Sequence, residues 1–148
     1  MSDQMIYNFK NDKVDSVHAR SCVYDLHYHI VWVTKYRAKV LTSDMQESLK
    51  QWIKQICDKY GFTVEAMEVL ENYVHILFSI LPKYSATNAV RWIKGITGKW
   101  MFMKYPELKK SMRHGHLWSR VYYCGSIGQT TEAVVRNYVE TQKGRPYK

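Results

Sequence analysis

The sequence contains no run of about 18 apolar residues, which excludes an ordinary membrane-spanning helix. Its first residues, MSDQMIYNFKNDKVDS, lack the basic start and apolar centre of a secretory signal. Cys22, Cys57 and Cys124 are odd in number and show no CxxC spacing, so neither a disulfide framework nor a thiolate zinc site is indicated. A reducing, cytoplasmic setting with no membrane partner is expected. Internal repeats and low-complexity tracts are also missing. What remains is 148 residues, 46% of them apolar, enough for one domain with a real core.

Acidic residues are scarce as well: 13 Asp and Glu stand against 22 Lys and Arg, a formal charge of +9. In residues 1–21, Asp3, Asp12 and Asp15 balance Lys10, Lys13 and Arg20. This stretch reads as a flexible or docking extension before a single domain at 22–148, and the excess charge lies in that domain among Tyr and Trp residues. Basic charge attracts phosphates regardless of base sequence, and exposed aromatic faces stack on unpaired bases. A solvated but uninvolved basic surface has the same composition.

Residues 23–36, rich in β-branched and aromatic side chains, read as a first strand. Thr42 or Ser43 can cap a helix that places Met45, Leu49, Trp52, Ile53, Ile56, Cys57 and Tyr60 on one stripe and stops at Gly61. Residues 62–69 form a second strand, and Glu71-Asn72 turns into a third that Pro82 closes. Ser85 caps a second long helix weakened by Gly95 and Gly98. A polar loop at 105–116 leads to a fourth strand in LWSRVYYCGS and a third helix at 130–142. The order β-α-β-β-α-β is the ferredoxin-like split arrangement: an α+β antiparallel sheet with two helices on one face and the other face free. The last helix is an addition to that core.

Three places approach a His-x-His pair: His27-Tyr28-His29, Tyr73-Val74-His75 and His114-Gly115-His116. On a strand, residues i and i+2 share a face roughly 6–7 Å apart, close enough to hold one cation. His27 and His29 satisfy this, although two histidines in a β-rich run also occur as packed or hydrogen-bonded sheet residues. In residues 71–80, Tyr73, His75, Leu77 and Ser79 share one face, and Val74, Ile76, Phe78 and Ile80 share an apolar one. On the last helix Tyr138 and Gln142 stack with Val134, beside an apolar strip of Val135 and Val139. Such a tyrosine either packs or attacks a phosphodiester as a nucleophile. The second role needs a cation to polarise the phosphate, because phenol is a weak nucleophile near neutral pH. Gln142 could lend that cation its carbonyl oxygen.

YHIVWVTKYRAKVL, YVHILFSILPKYS, GHLWS and NYVETQ, in this order and spacing, resemble the single-tyrosine HUH transposases of the insertion sequence 200/605 family. The resemblance covers roughly residues 24–142. It implies a ferredoxin-like core with a C-terminal tyrosine-bearing helix, a homodimer, and single-stranded DNA with hairpins as substrate. Strands are cut and rejoined through a 5′-phosphotyrosine, with Mg²⁺ or Mn²⁺ as cofactor. The nucleophile position falls on Tyr138, the polar cation-binding residue on Gln142 and the second HUH histidine on His75. In these dimers the tyrosine helix of one subunit commonly serves the metal site of the other.

The first HUH histidine falls on Tyr73, and a phenol near its usual pKa of about 10 is a poor ligand for a hard divalent ion. Three explanations stand: a copy that binds DNA without cutting it, a replacement ligand from His27 or His29 on the neighbouring strand, or ligation by a Tyr73 phenolate. DNA contacts are expected from Arg37, Arg91, Lys94 and Arg136. Lys94-Gly95 matches a pair common in the family's second helix, and Lys143 also flanks the tyrosine helix. An RNA-binding module shares the topology and the charge, but the run of strand aromatics it requires is missing.

Overall fold

The computed structural model describes residues 17–18, 23–24, 26–112, 115–126, 128 and 130–142. The first 16 residues, His114 and Lys143 lie outside the described residues. The main sheet comprises β3 (His27–Val33), β4 (Thr63–Val69), β5 (Tyr73–Ser79) and β6 (Tyr123–Ser126), in the order β4-β5-β3-β6 with every neighbouring pair antiparallel. With α1 (Ser43–Tyr60) between β3 and β4, and α2 (Ala86–Lys104) between β5 and β6, this is the ferredoxin-like α+β arrangement. Two short strands, β1 (Val17–His18) and β2 (Val23–Tyr24), pair with each other ahead of it.

Local chemistry fixes the helices. The Thr42 side chain accepts the Met45 amide to start α1, and Gly61, left-handed at φ 77°, returns its N–H to Asp58 and Cys57 to end it. Ser85 caps α2 through the Asn88 amide. The helices seal one face of the sheet, where Ile30, Trp32, Val74, Ile76 and Phe78 meet Leu49, Ile53 and Ile93. Thr97 sits inside this core with both hydrogen-bonding capacities used. It donates to Ile93 O at 2.7 Å and accepts from Trp118 Nε1 at 3.1 Å.

The structure differs from the sequence reading in four places. The first strand does not run to residue 36: it ends at Val33, and Lys35–Arg37 form a 3₁₀ turn with Tyr36 at φ 63° and Arg37 at φ 55°. The fourth strand shrinks to Tyr123–Ser126, and Trp118 makes only an isolated bridge to Thr34. The polar loop holds a short helix, α3 (Leu108–Ser111), because Leu108 and Met112 bury there. The second face of the sheet is not free. β3 carries Val31 and Val33 on that side, and α4 (Glu132–Thr141) lies over them with Val135 and Val139.

Candidate active site

The second face also carries the polar groups of interest. In the β3–β5 register Val31 stands opposite His75 and His29 opposite Leu77, so the two histidines are diagonal neighbours on one face. Their rings nearly touch: His29 Nδ1 and His75 Nε2 lie 2.9 Å apart, with centroids at 5.1 Å and planes at 36°. Burial lowers the pKa of both, and for His29 the neighbouring His75 lowers it further. Both rings are therefore neutral at pH 7, and one ring N–H faces the other ring's lone pair. His27 is engaged elsewhere. Its Nδ1 lies 2.6 Å from Glu65 Oε2, Glu65 sitting where the β4–β5 register shifts.

Glu68 stands directly opposite His75 across the β4–β5 pair. The Tyr73 hydroxyl donates to Glu68 Oε1 at 2.9 Å. Burial first, and then this bond to a carboxylate, push the Tyr73 pKa up to about 12. Tyr73 is thus a phenol at neutral pH, its proton held toward Glu68. Sequence reasoning missed Glu68, although the turn contained the signal: counting back from the Val69–Val74 pair puts Glu68 beside His75.

A cleft of about 880 Å³ opens above these groups, walled by His29, Glu68, Tyr73 and His75 on the sheet and by Glu132, Arg136 and Glu140 on α4. Tyr138 and Gln142 are not among its walls. Tyr138 lies on the other flank of α4, its ring 5.9 Å from that of Tyr123. Its hydroxyl is buried with no hydrogen-bond partner among the described residues, and burial pushes its pKa up to about 12. Gln142 follows the last turn in extended backbone and donates its amide N–H to Tyr138 O at 2.9 Å. One chain therefore brings His29, His75, Glu68 and Tyr73 together and holds Tyr138 and Gln142 apart from them.

Gly125 shapes the Tyr138 side, a second feature missed from sequence. Tyr123 lies across it and bonds Thr130 Oγ1 at 3.1 Å, and a Cβ at Gly125 would collide with both side chains. On the cleft side Arg37 closes the end of α4, donating to Glu140 O at 2.5 Å and Val139 O at 3.4 Å. Arg136 pairs with Glu132 one turn away at 2.7 Å. Among the described residues no three His, Cys, Asp or Glu side chains already converge as a metal cage.

Arg91 and Lys94 belong to a different groove, about 620 Å³, between α2 and residues 115–122. Lys99, His116 and Arg120 line it too, and no carboxylate does among the described residues. Gly95 opens its floor, since a Cβ there would meet nothing within 4 Å. Lys94 Nζ donates to Ser119 O at 2.6 Å and sits 6.0 Å from the Tyr122 ring centroid; burial lowers its pKa to about 8.

A family model of IS200-like transposases matches residues 22–142. The ISDra2 transposase TnpA of Deinococcus radiodurans is 35% identical over 123 residues, spanning 83% of this chain and 88% of that protein. The transposase of insertion sequence element IS200 from Salmonella typhimurium is 25% identical over 115 residues, 78% of this chain and 75% of that one. A crystal structure of a Deinococcus radiodurans R1 protein described as a transposase superposes with a TM-score of 0.81 at 32% identity, covering 87% of this chain and 99% of that chain. A REP-associated tyrosine transposase bound to a REP hairpin shares the fold at a TM-score of 0.52 and 15% identity, covering 84% of this chain and 68% of that chain.

Proposed function

The chain belongs to the IS200-like transposase family, and from that premise we propose that it cuts and rejoins single-stranded DNA at hairpin ends, with Tyr138 as nucleophile. What carries this reading is the second sheet face, where a neutral imidazole pair floors a cleft beside a tyrosine-bearing helix. The Tyr138 oxygen attacks the phosphorus, the bond to the 3′ oxygen breaks, and that oxygen takes up a proton as the phenol loses one. The product is a 5′-phosphotyrosine and a free 3′ hydroxyl. Attack by a 3′ hydroxyl reverses the step and rejoins strands with no external energy source.

Within one chain Tyr138 is buried away from the cleft and its hydroxyl has no hydrogen-bond partner among the described residues. We therefore assign the cutting arrangement to a homodimer in which α4 of one copy serves the cleft of the other. The groove holding Arg91, Lys94 and Gly95 takes the hairpin phosphates, a basic channel with no carboxylate among its described lining residues and a glycine floor for close approach. Arg37 and Arg136 stand at the cleft, where the single strand would pass, although both are already engaged with α4.

The family reaction uses Mg²⁺ or Mn²⁺ to polarise the scissile phosphate. The two HUH positions of this chain do not fit such an ion as a pair. His75 offers an imidazole, but Tyr73 is a phenol committed to Glu68. That mismatch favours a second reading, a family member that binds hairpin DNA without cutting it. Incubation with a labelled single-stranded oligonucleotide carrying the element's end, in Mn²⁺, separates the two. A covalent protein–DNA band that disappears in Tyr138→Phe supports cleavage. Tight binding without a band, with a band gained by Tyr73→His, supports the second reading.

A further inference from the structure

We propose that a divalent cation binds between His29 Nδ1 and His75 Nε2 with Glu68 as third ligand, so that His29 supplies the imidazole that position 73 lacks. Binding itself is independent of the proposed strand cleavage; only its use in cleavage rests on that reading.

The separation of the two nitrogens is the first support. Ligand nitrogens about 2.1 Å from one ion and at right angles around it lie about 3 Å apart. His29 Nδ1 and His75 Nε2 are 2.9 Å apart, from adjacent strands whose register is set by the sheet. The rings need little movement to share an ion. They need a different protonation pattern: both facing nitrogens must be bare, so each proton sits on the far nitrogen, His29 Nε2 or His75 Nδ1.

Glu68 is the second support. It faces His75 directly across β4 and β5, and both side chains line the same cleft. Tyr73 then has a new role. Its hydroxyl holds Glu68 Oε1, as polar groups behind a metal site orient a ligating carboxylate. Tyr73 is thus a positioning residue rather than a lost ligand. The three donors do not yet converge, so the carboxylate closes onto the ion as it binds. Two imidazoles and one carboxylate favour a transition ion such as Mn²⁺ over Mg²⁺. The cleft above leaves room for a phosphate oxygen. His27, the other candidate replacement, is directed at Glu65.

The test is Mn²⁺ binding to the full chain without DNA, followed by electron paramagnetic resonance of the free ion. Wild type should take up one Mn²⁺. His29→Ala and His75→Ala should each weaken binding at least about tenfold, and Glu68→Gln should do the same; Tyr73→Phe should weaken it about tenfold at most. His29→Asn serves as a second variant if the alanine chain melts early without metal. Wild-type affinity in His29→Ala or His29→Asn, or no uptake by wild type, overturns the site. Mn²⁺ held through His29 with no covalent DNA band would leave the site standing and remove the cleavage reading. A full covalent band in His29→Ala would keep the cleavage reading and remove the site's role in it.

Discussion

The two faces of the sheet are built to different standards. On one, α1 and α2 press Ile30, Trp32, Ile76 and Phe78 out of water completely. On the other, α4 is held by four valines, the partly buried rings of Tyr73, Tyr123 and Tyr138 packed against them, and one arginine that caps its end, and the remaining space is a cleft with imidazoles at its floor. The first face supplies the fold's stability. The second is apolar enough to seat a ten-residue helix and polar enough to do chemistry, and its nucleophile candidate is parked with a buried hydroxyl that has no partner among the described residues. A helix this lightly held can leave without unfolding the domain.

The largest effect is expected from Tyr138→Phe, which should abolish the covalent DNA band. The same change should leave the melting temperature unchanged or slightly higher, because it deletes a buried hydroxyl that has no partner among the described residues. A marked loss of stability would mean that the hydroxyl is satisfied in solution. Next, Phe78→Ala should cost about 3–5 kcal/mol in denaturant melts, whereas Val135→Ala should cost about 1–2 kcal/mol. In hydrogen exchange Val135→Ala should speed up residues 132–141 alone. Equal losses from both substitutions would erase the distinction between the faces.

Arg37→Ala should act on α4 only. Loss of its bonds to Val139 and Glu140 should speed exchange at the helix's last turn by about tenfold, with the domain's melting point within a degree or two. The smallest effect concerns the second groove. Lys94 loses its proton as the pH rises through about 8, and only the charged form attracts phosphate. Hairpin affinity should therefore fall severalfold between pH 7 and pH 9, measured by fluorescence anisotropy. Lys94→Arg, which stays charged, should remove most of that slope.

The helix caps, the alternation of β5 and the ferredoxin-like order were legible because each is a local pattern with a local cause. Thr42, Gly61 and Ser85 act within a turn of where they stand. The first strand was overextended because Thr34, Lys35 and Tyr36 continue its β-rich composition, and nothing in residue type announces two successive left-handed residues. The Val135–Val139 strip was visible, but an apolar strip does not say which surface it covers. The His29–His75 meeting depends on the register of two strands 46 positions apart, which no short pattern encodes. Glu68 was within reach, since it needed only the hairpin register set by its turn.

Mixed dimers test directly whether α4 of one copy completes the cleft of another. Chains carrying Tyr138→Phe and chains carrying His75→Ala, each inactive alone, can be co-expressed with distinguishable tags and given the labelled oligonucleotide. We expect a covalent band only in the mixture, and only on the His75→Ala chain, which contributes the tyrosine to its partner's intact cleft. No band in a mixture whose subunits demonstrably pair, beside a strong wild-type band, would contradict the shared site and place Tyr138 at its own chain's histidines.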